Sequence, residues 1–239
     1  MRTYAELPGL MTLMTGDEKH DPSATSTLDV LWVLYDQILK VSPDSLDDPR
    51  RDRFLLSKGH GPAAYYAVLA AKGFIPETWL PDFGSVSSPL GYHPDRSLVP
   101  GVEIASGSLG HGLPIGVGLA HGLLAQRLSG PGLGAPRVYV LVGDAELDEG
   151  SNSEAIVYAG AARLPNLTVV AVDNRSSSWG WGPGGIEAHF AVAGWSATRV
   201  SGRDHEALAS AFRVTSAGAG SGPATGGPQL VVAEVEGKE

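Results

Sequence analysis

Val138-Tyr139-Val140-Leu141-Val142-Gly143-Asp144 and Leu167-Thr168-Val169-Val170-Ala171-Val172-Asp173-Asn174 share one design: a continuous apolar run that ends in residues carrying oxygen donors. Both runs are short and rich in β-branched residues, the pattern of strands buried on both faces of a parallel sheet. Between them, Ser153 to Arg163 is alanine-rich, has no proline and only one glycine, Gly160, and reads as a helix. The three pieces make a β-α-β unit. Ligands of such sheets gather outside the carboxyl ends of the strands. Asp144 and Asn174, thirty positions apart, therefore arrive at one edge on neighbouring loops.

Working outward, Leu28, Leu31, Trp32, Tyr35, Ile38 and Leu39 recur at three- and four-residue steps and predict an amphipathic helix that Ser26 or Thr27 could cap. Phe54-Leu55-Leu56 predicts a short buried strand. A helix follows from about Pro62 to Lys72, with proline near its start and Gly73 just past its end. Residues 74–102 are mostly loop, and residues 110–128 predict a helix despite their glycines, a sign of close backbone approach to a neighbour. Strands are expected at 137–142, 167–172, 196–200 and 230–235, and helices at 152–163, 186–193 and 204–213. This alternation indicates an α/β class, a doubly wound, mainly parallel sheet with helices on both faces. Residues 216–228, rich in Gly, Ala, Ser and Pro, read as a flexible surface loop within a single domain spanning 1–239.

The 239 residues suffice for one large domain with a buried core, and 43% hydrophobic with 18% charged residues is a globular balance. A net charge of −9 argues against general nucleic-acid binding, which needs a basic face. There is no cysteine, hence no disulfide framework and no thiol chemistry. The amino terminus lacks a signal pattern and no apolar run approaches membrane-spanning length, so a cytoplasmic protein with no membrane association is expected.

An Asp and an Asn side by side are hard oxygen donors that suit Mg²⁺, an ion that usually completes its shell with phosphate and water. A metal–diphosphate clamp is implied. His60, in Ser57-Lys58-Gly59-His60-Gly61, follows a strand and precedes a helix, where unpaired amides attract anions; the alternative is a surface histidine capping a turn.

Five segments in order resemble the transketolase family: Lys19-His20-Asp21-Pro22, Leu56-Ser57-Lys58-Gly59-His60-Gly61, Tyr92-His93-Pro94-Asp95, Gly107-Ser108-Leu109-Gly110-His111-Gly112, and Gly143-Asp144 with Asn174. The resemblance covers roughly residues 15–205 and implies a thiamine-diphosphate-binding fold with thiamine diphosphate and Mg²⁺ as cofactors. It implies Asp144, Asn174 and the carbonyl of Ser176 as metal ligands. His60 would lie near the diphosphate and the reacting carbon, His93 at the sugar hydroxyls, and His20 as the amino-terminal active-site histidine; these three are the catalytic candidates. Gly107, Ser108 and Leu109 would line the cofactor's pyrimidine ring, Gly143 and Ala145 the diphosphate turn, and Ser178 the cofactor's apolar side. Glu149 would pair with a partner's cofactor-activating glutamate, a role compatible with that of an acid at a helix amino terminus.

The departures from the family pattern are specific. His-Pro-Gly becomes His20-Asp21-Pro22, and Gly-Asp-Gly becomes Gly143-Asp144-Ala145, which requires negative φ at Ala145. His111 stands where Gln is common, as a substrate contact or a plain polar replacement. Ser178 replaces an aliphatic residue and Trp179 an Asp. Where many relatives carry a carboxyl-terminal histidine, this chain has Ala233-Glu234-Val235-Glu236-Gly237-Lys238, so either the strand end is displaced or Lys238 compensates the acids.

The resemblance implies the amino-terminal subunit of a split, two-component transketolase. Such a subunit is active only with a carboxyl-terminal, pyrimidine-binding subunit, in an expected α₂β₂ assembly. The expected reaction moves a two-carbon ketol unit from a ketose or ketose phosphate to an aldose or, in a specialised biosynthetic enzyme, to an acyl carrier. The alternatives are a non-catalytic regulatory homologue and a subunit of a 2-oxo-acid-using thiamine-diphosphate enzyme.

Overall fold

The computed structural model describes residues 2–15, 24–126, 136–178, 180–217 and 226–237, with the backbone alone over 214–217. Five strands form one sheet: β1 (Arg53–Leu56), β2 (Val138–Gly143), β3 (Leu167–Asp173), β4 (Ser196–Ser201) and β5 (Gln229–Glu234). Their order is β1-β2-β3-β5-β4, and every pairing is parallel. The α-helices among the described residues are α1 (Leu7–Leu13), α2 (Leu28–Val33), α3 (Ala63–Ala71), α4 (Gly112–Ala125), α5 (Gly150–Ala161), α6 (Gly185–Ala191) and α7 (His205–Ala217).

Strands β1, β2, β3 and β5 look almost uniformly apolar in sequence, yet each divides its residues between two cores. Phe54, Leu56, Tyr139, Leu141, Val170, Val172, Val231 and Ala233 face α1, α2, α3 and α7. Leu55, Val138, Val140, Val142, Val169, Ala171, Leu230 and Val232 face α4, α5 and α6. This is the period-two alternation of strands, hidden in the sequence because both sides are dry. A glycine in α4 brings that helix down onto the sheet: a Cβ on Gly116 would lie 2.4 Å from Val140 Cγ2.

Several boundaries differ from expectation for local reasons. The helix expected from 110 starts at Gly112, because Gly110 has φ +83°, outside the helical region. The helix expected over 28–39 is α-helical to Val33 and then widens to a π-turn, Leu34–Ile38, with Leu39 N bonded to Leu34 O at 2.8 Å. That turn delivers Tyr35 into a buried aromatic group with Phe54, Tyr65 and Phe74. Helix α7 extends to Ala217 and takes the first two residues of the expected 216–228 loop, most of which lies outside the described residues. Helix α1 carried no legible signal, since Pro8 and Gly9 sit in its first turn. No described helix is long and apolar enough to cross a membrane.

Candidate active site at the carboxyl edge of the sheet

β2 ends at Gly143, and the backbone N–H of Asp144 continues the ladder by donating to Val172 O at 3.1 Å. The chain then folds into a 3₁₀ turn, Ala145–Asp148. Ala145 opens this turn and takes its helical, negative-φ backbone, a conformation that any L-residue adopts; the glycine usual in the resembled motif is not needed here.

The Asp144 carboxylate is buried. Oδ2 accepts the backbone N–H groups of Ser176 at 2.6 Å and Ser177 at 3.1 Å, and Oδ1 accepts the Ser176 hydroxyl at 2.6 Å. Asp148 repeats the arrangement one turn on, taking the Ser177 hydroxyl at 3.0 Å and the Ser178 N–H at 3.1 Å. Two carboxylates from the loop after β2 thus hold the loop after β3. A carboxylate offers about four lone-pair positions, and Asp144 fills three of them from the protein.

Asn174 lies at the head of the second loop and is 5% exposed, yet its Oδ1 has no hydrogen-bond partner. A buried amide oxygen left without a donor is costly and calls for a ligand to fill the gap. An open lone pair on a buried carboxylate and an orphaned amide oxygen, on neighbouring loops, form the donor set of a hard cation with few protein ligands. The residues fit Mg²⁺ with a diphosphate. The next residue, Arg175, is held at φ +57°.

A second pair of loops closes the site from the β1 side. Ser57 and Lys58, after β1, are buried, and His60 is half-buried. A Cβ on Gly59 would lie 2.5 Å from Ser106 Oγ and 2.6 Å from Gly107 N, so the two loops touch backbone to backbone. Gly107 has φ +147° and lies under the exposed His93, whose ring would be 2.7 Å from a Cβ there. Leu109 is half-buried, Ser108 and Ser178 are exposed, and Glu149 caps α5 with its side chain against Gly110. His111 is exposed and caps α4. His20 lies outside the described residues.

The structure adds one residue to which the sequence pattern gave no role, Glu146. It is 1% exposed and accepts from the Ser57 hydroxyl, from Gly110 N at 3.0 Å and from Gly143 N at 3.4 Å. Burial pushes its carboxyl above the usual carboxylate range, against the Ser57 hydroxyl, the Gly110 and Gly143 amides and the Lys58 ammonium, which all favour the charged form. An acid inside a turn between two buried segments was the available signal.

The acids at the end of β5 need a correction. The strand end is in register, Asp173 opposite Glu234, so it is not displaced. Lys238 lies outside the described residues; among those described, arginines face these acids. Glu234 meets Arg175 at 3.4 Å and Arg199 at 3.7 Å, and Glu236 meets Arg203 at 2.7 Å. Arg203 also reaches the buried Asp29 at 2.7 Å and Thr25 O at 2.9 Å. The Arg203 hydrogen bond holds the Glu236 carboxyl below its ordinary value.

Residues 12–223 match the family described as "Transketolase, thiamine diphosphate binding domain". The chain belongs to the transketolase family. Its relatives include "Ferredoxin fas2" of Rhodococcoides fascians, 56% identical over 210 residues that cover 88% of this chain and 67% of that protein. An apulose-4-phosphate transketolase subunit of Actinobacillus succinogenes is 43% identical over 156 residues, 65% of this chain and 54% of that one. The crystal structure of transketolase from Campylobacter jejuni superposes with a TM-score of 0.77 at 26% identity, covering 98% of this chain and 38% of that one. The chain thus spans about half to two thirds of these two curated relatives and little more than a third of the solved transketolase.

Proposed function

We propose that this chain is the diphosphate-binding subunit of a two-component transketolase-type enzyme, working with thiamine diphosphate and Mg²⁺ to move a two-carbon ketol unit from a ketose or its phosphate. The observation that carries the proposal is the orphaned Oδ1 of buried Asn174 on the loop that Asp144 holds in place. Asp144 Oδ1, Asn174 Oδ1 and the Ser176 carbonyl would hold the metal. Gly143 and Ala145 would shape the turn beside the diphosphate, with His60 facing it from the β1 side. Bound thiamine diphosphate supplies a carbon nucleophile and an electron sink. The chain's own residues bind and orient: His93 and His20 hold donor hydroxyls and exchange protons with them, and Gly107, Ser108, Leu109 and Ser178 bound the ring site. Glu149, exposed at the start of α5, would meet an acid of a partner subunit.

Pyrimidine-site residues are assigned to a second chain in an α₂β₂ assembly. The Actinobacillus relative, itself named as one subunit of a transketolase, supports this division of labour. Mixing the chain with a pyrimidine-domain subunit, Mg²⁺ and thiamine diphosphate should release a shortened aldose from xylulose 5-phosphate or fructose 6-phosphate. Release that needs both chains and vanishes in Asp144→Ala is the expected result. An assembled complex that holds cofactor and cleaves neither ketose overturns it.

The ferredoxin name of the 56%-identical relative favours one second reading, in which the donor is a 2-oxo acid and electrons pass to an iron–sulfur protein. Such clusters are held by cysteine thiolates, and these 239 residues contain no cysteine, so the cluster would belong to another polypeptide segment. Pyruvate-dependent reduction of a viologen dye by the assembled complex, without aldose release, would select this reading.

A further inference from the structure

We infer that Glu146 is a positioning residue: its carboxylate sets the spacing of the two loops, 57–60 and 107–110, that bound the ligand site on the β1 side. As a statement about ligand binding, this rests on the transketolase reading above. The contacts of the Glu146 carboxylate are the two loops and the end of β2.

One oxygen, Oε1, receives both the Ser57 hydroxyl and the Gly110 N–H, while Oε2 receives Gly143 N–H. A single carboxylate therefore joins the loop after β1, the turn before α4 and the last residue of β2. The Glu146 backbone is fixed in turn, since Asn152 Nδ2 donates to its carbonyl at 2.6 Å. Around this point the loops meet with no side-chain cushion. Besides Gly59 against Ser106 and Gly107, a Cβ on Gly112 would lie 2.3 Å from Ser57 Oγ. Ser151 Oγ adds a bond to Gly110 O at 2.7 Å, so Gly110 is pinned through both its backbone groups.

The two backbone groups facing Glu146 require an acceptor at each carboxyl oxygen, Gly110 N–H at Oε1 and Gly143 N–H at Oε2. The Ser57 hydroxyl can turn to donate or accept, whereas the two N–H groups can only donate. A glutamine keeps the size but turns one end into a donor, which must face either Gly143 N–H or Gly110 N–H. Either way one tie is lost, and the loops are free to part.

Glu146→Gln should leave the fold intact while loosening the loops. The first readout is amide hydrogen exchange of the ligand-free chain: Gly110 and residues 57–59 should exchange about tenfold faster, with amides of β4 and β5 unchanged. The second is binding of thiamine diphosphate with Mg²⁺ to the chain with its partner subunit: Kd should rise about tenfold, and the cofactor's KM should rise by more than kcat falls. Unchanged exchange at Gly110, or exchange faster everywhere, overturns the proposal. So does an unchanged cofactor Kd alongside faster loop exchange, since the spacing would then not serve binding. If the wild-type complex binds no thiamine diphosphate, the functional reading fails, and the exchange data alone decide whether Glu146 spaces the loops.

Discussion

Asp144 takes both the backbone N–H and the side-chain hydroxyl of Ser176, each at 2.6 Å, so one carboxylate fixes the loop that carries its expected co-ligand Asn174. The donor pair is assembled by the protein alone. Asp144→Asn therefore attacks structure and ligand binding together. An amide can keep the two backbone donors on its oxygen and give its NH₂ to the Ser176 hydroxyl, so the loss is that of charge assistance, about 1 kcal/mol of stability. Mg²⁺-dependent cofactor affinity should fall more than about a hundredfold, beyond what loss of an outer-shell contact does. Calorimetric titration with thiamine diphosphate and Mg²⁺, beside a urea melt, checks both halves.

Asn174→Ala separates the two effects. Because Oδ1 makes no protein hydrogen bond, its removal should change ligand-free stability by less than about 1 kcal/mol. The rise in melting temperature on adding Mg²⁺ and thiamine diphosphate should disappear. A variant that melts far lower without ligand would show that Asn174 is structural.

Arg175 predicts a gain. Its φ of +57° is costly for a residue with a Cβ, and its ion pair with Glu234 is long and exposed. Arg175→Gly should raise stability by about 0.5–1 kcal/mol, read as a higher urea midpoint with an unchanged slope.

Asp52 sets a pH dependence remote from the site. It is buried at the start of β1 and accepts the backbone N–H groups of Lys40 and Arg137, each at 2.9 Å. Burial nevertheless raises its carboxyl pKa, against those two amides and the charges of Lys40 and Arg137. A raised folded pKa gives a contribution that is full below the unfolded value, about 3.9, and is lost as pH rises through the folded value. The stability advantage of wild type over Asp52→Asn should therefore be largest near pH 4 and shrink toward neutrality. Urea melts of both proteins from pH 4 to 7 test the sign, and an advantage that grows with pH refutes it.

The fold was legible because β2, β3 and β5 are long apolar runs spaced by helical segments, and the site was legible because ligands of such sheets sit where those runs end. The pattern placed Asp144 and Asn174 on one edge, and the structure brings their loops together. Three things were hidden, each for a physical reason. Glu146 looks like one more acid in an acidic turn, since burial of a charged side chain depends on which loops close over it. The arginine partners of Glu234 and Glu236 come from three separate loops or strands, and no local spacing reports such contacts. Ala145 looked like a defect until its backbone was known, because a 3₁₀ turn at that point removes the need for glycine.

The strand order β1-β2-β3-β5-β4 has a consequence for how the chain is made. β5 is the last of the described strands, yet it lies inside the sheet and is the partner on which β4 hangs. During synthesis β4 leaves the ribosome with nothing to pair to, and the edge of β3 stays open until residues 229–234 emerge. The sheet is thus closed by insertion of a latecomer, a non-local step that folds slowly and leaves apolar edges exposed meanwhile. A polypeptide released before Gln229 would keep its Asp144 and Asn174 segments but lose the strand that pairs with β3 and β4, and would be a substrate for chaperones and proteases before it could be a partner for any second subunit.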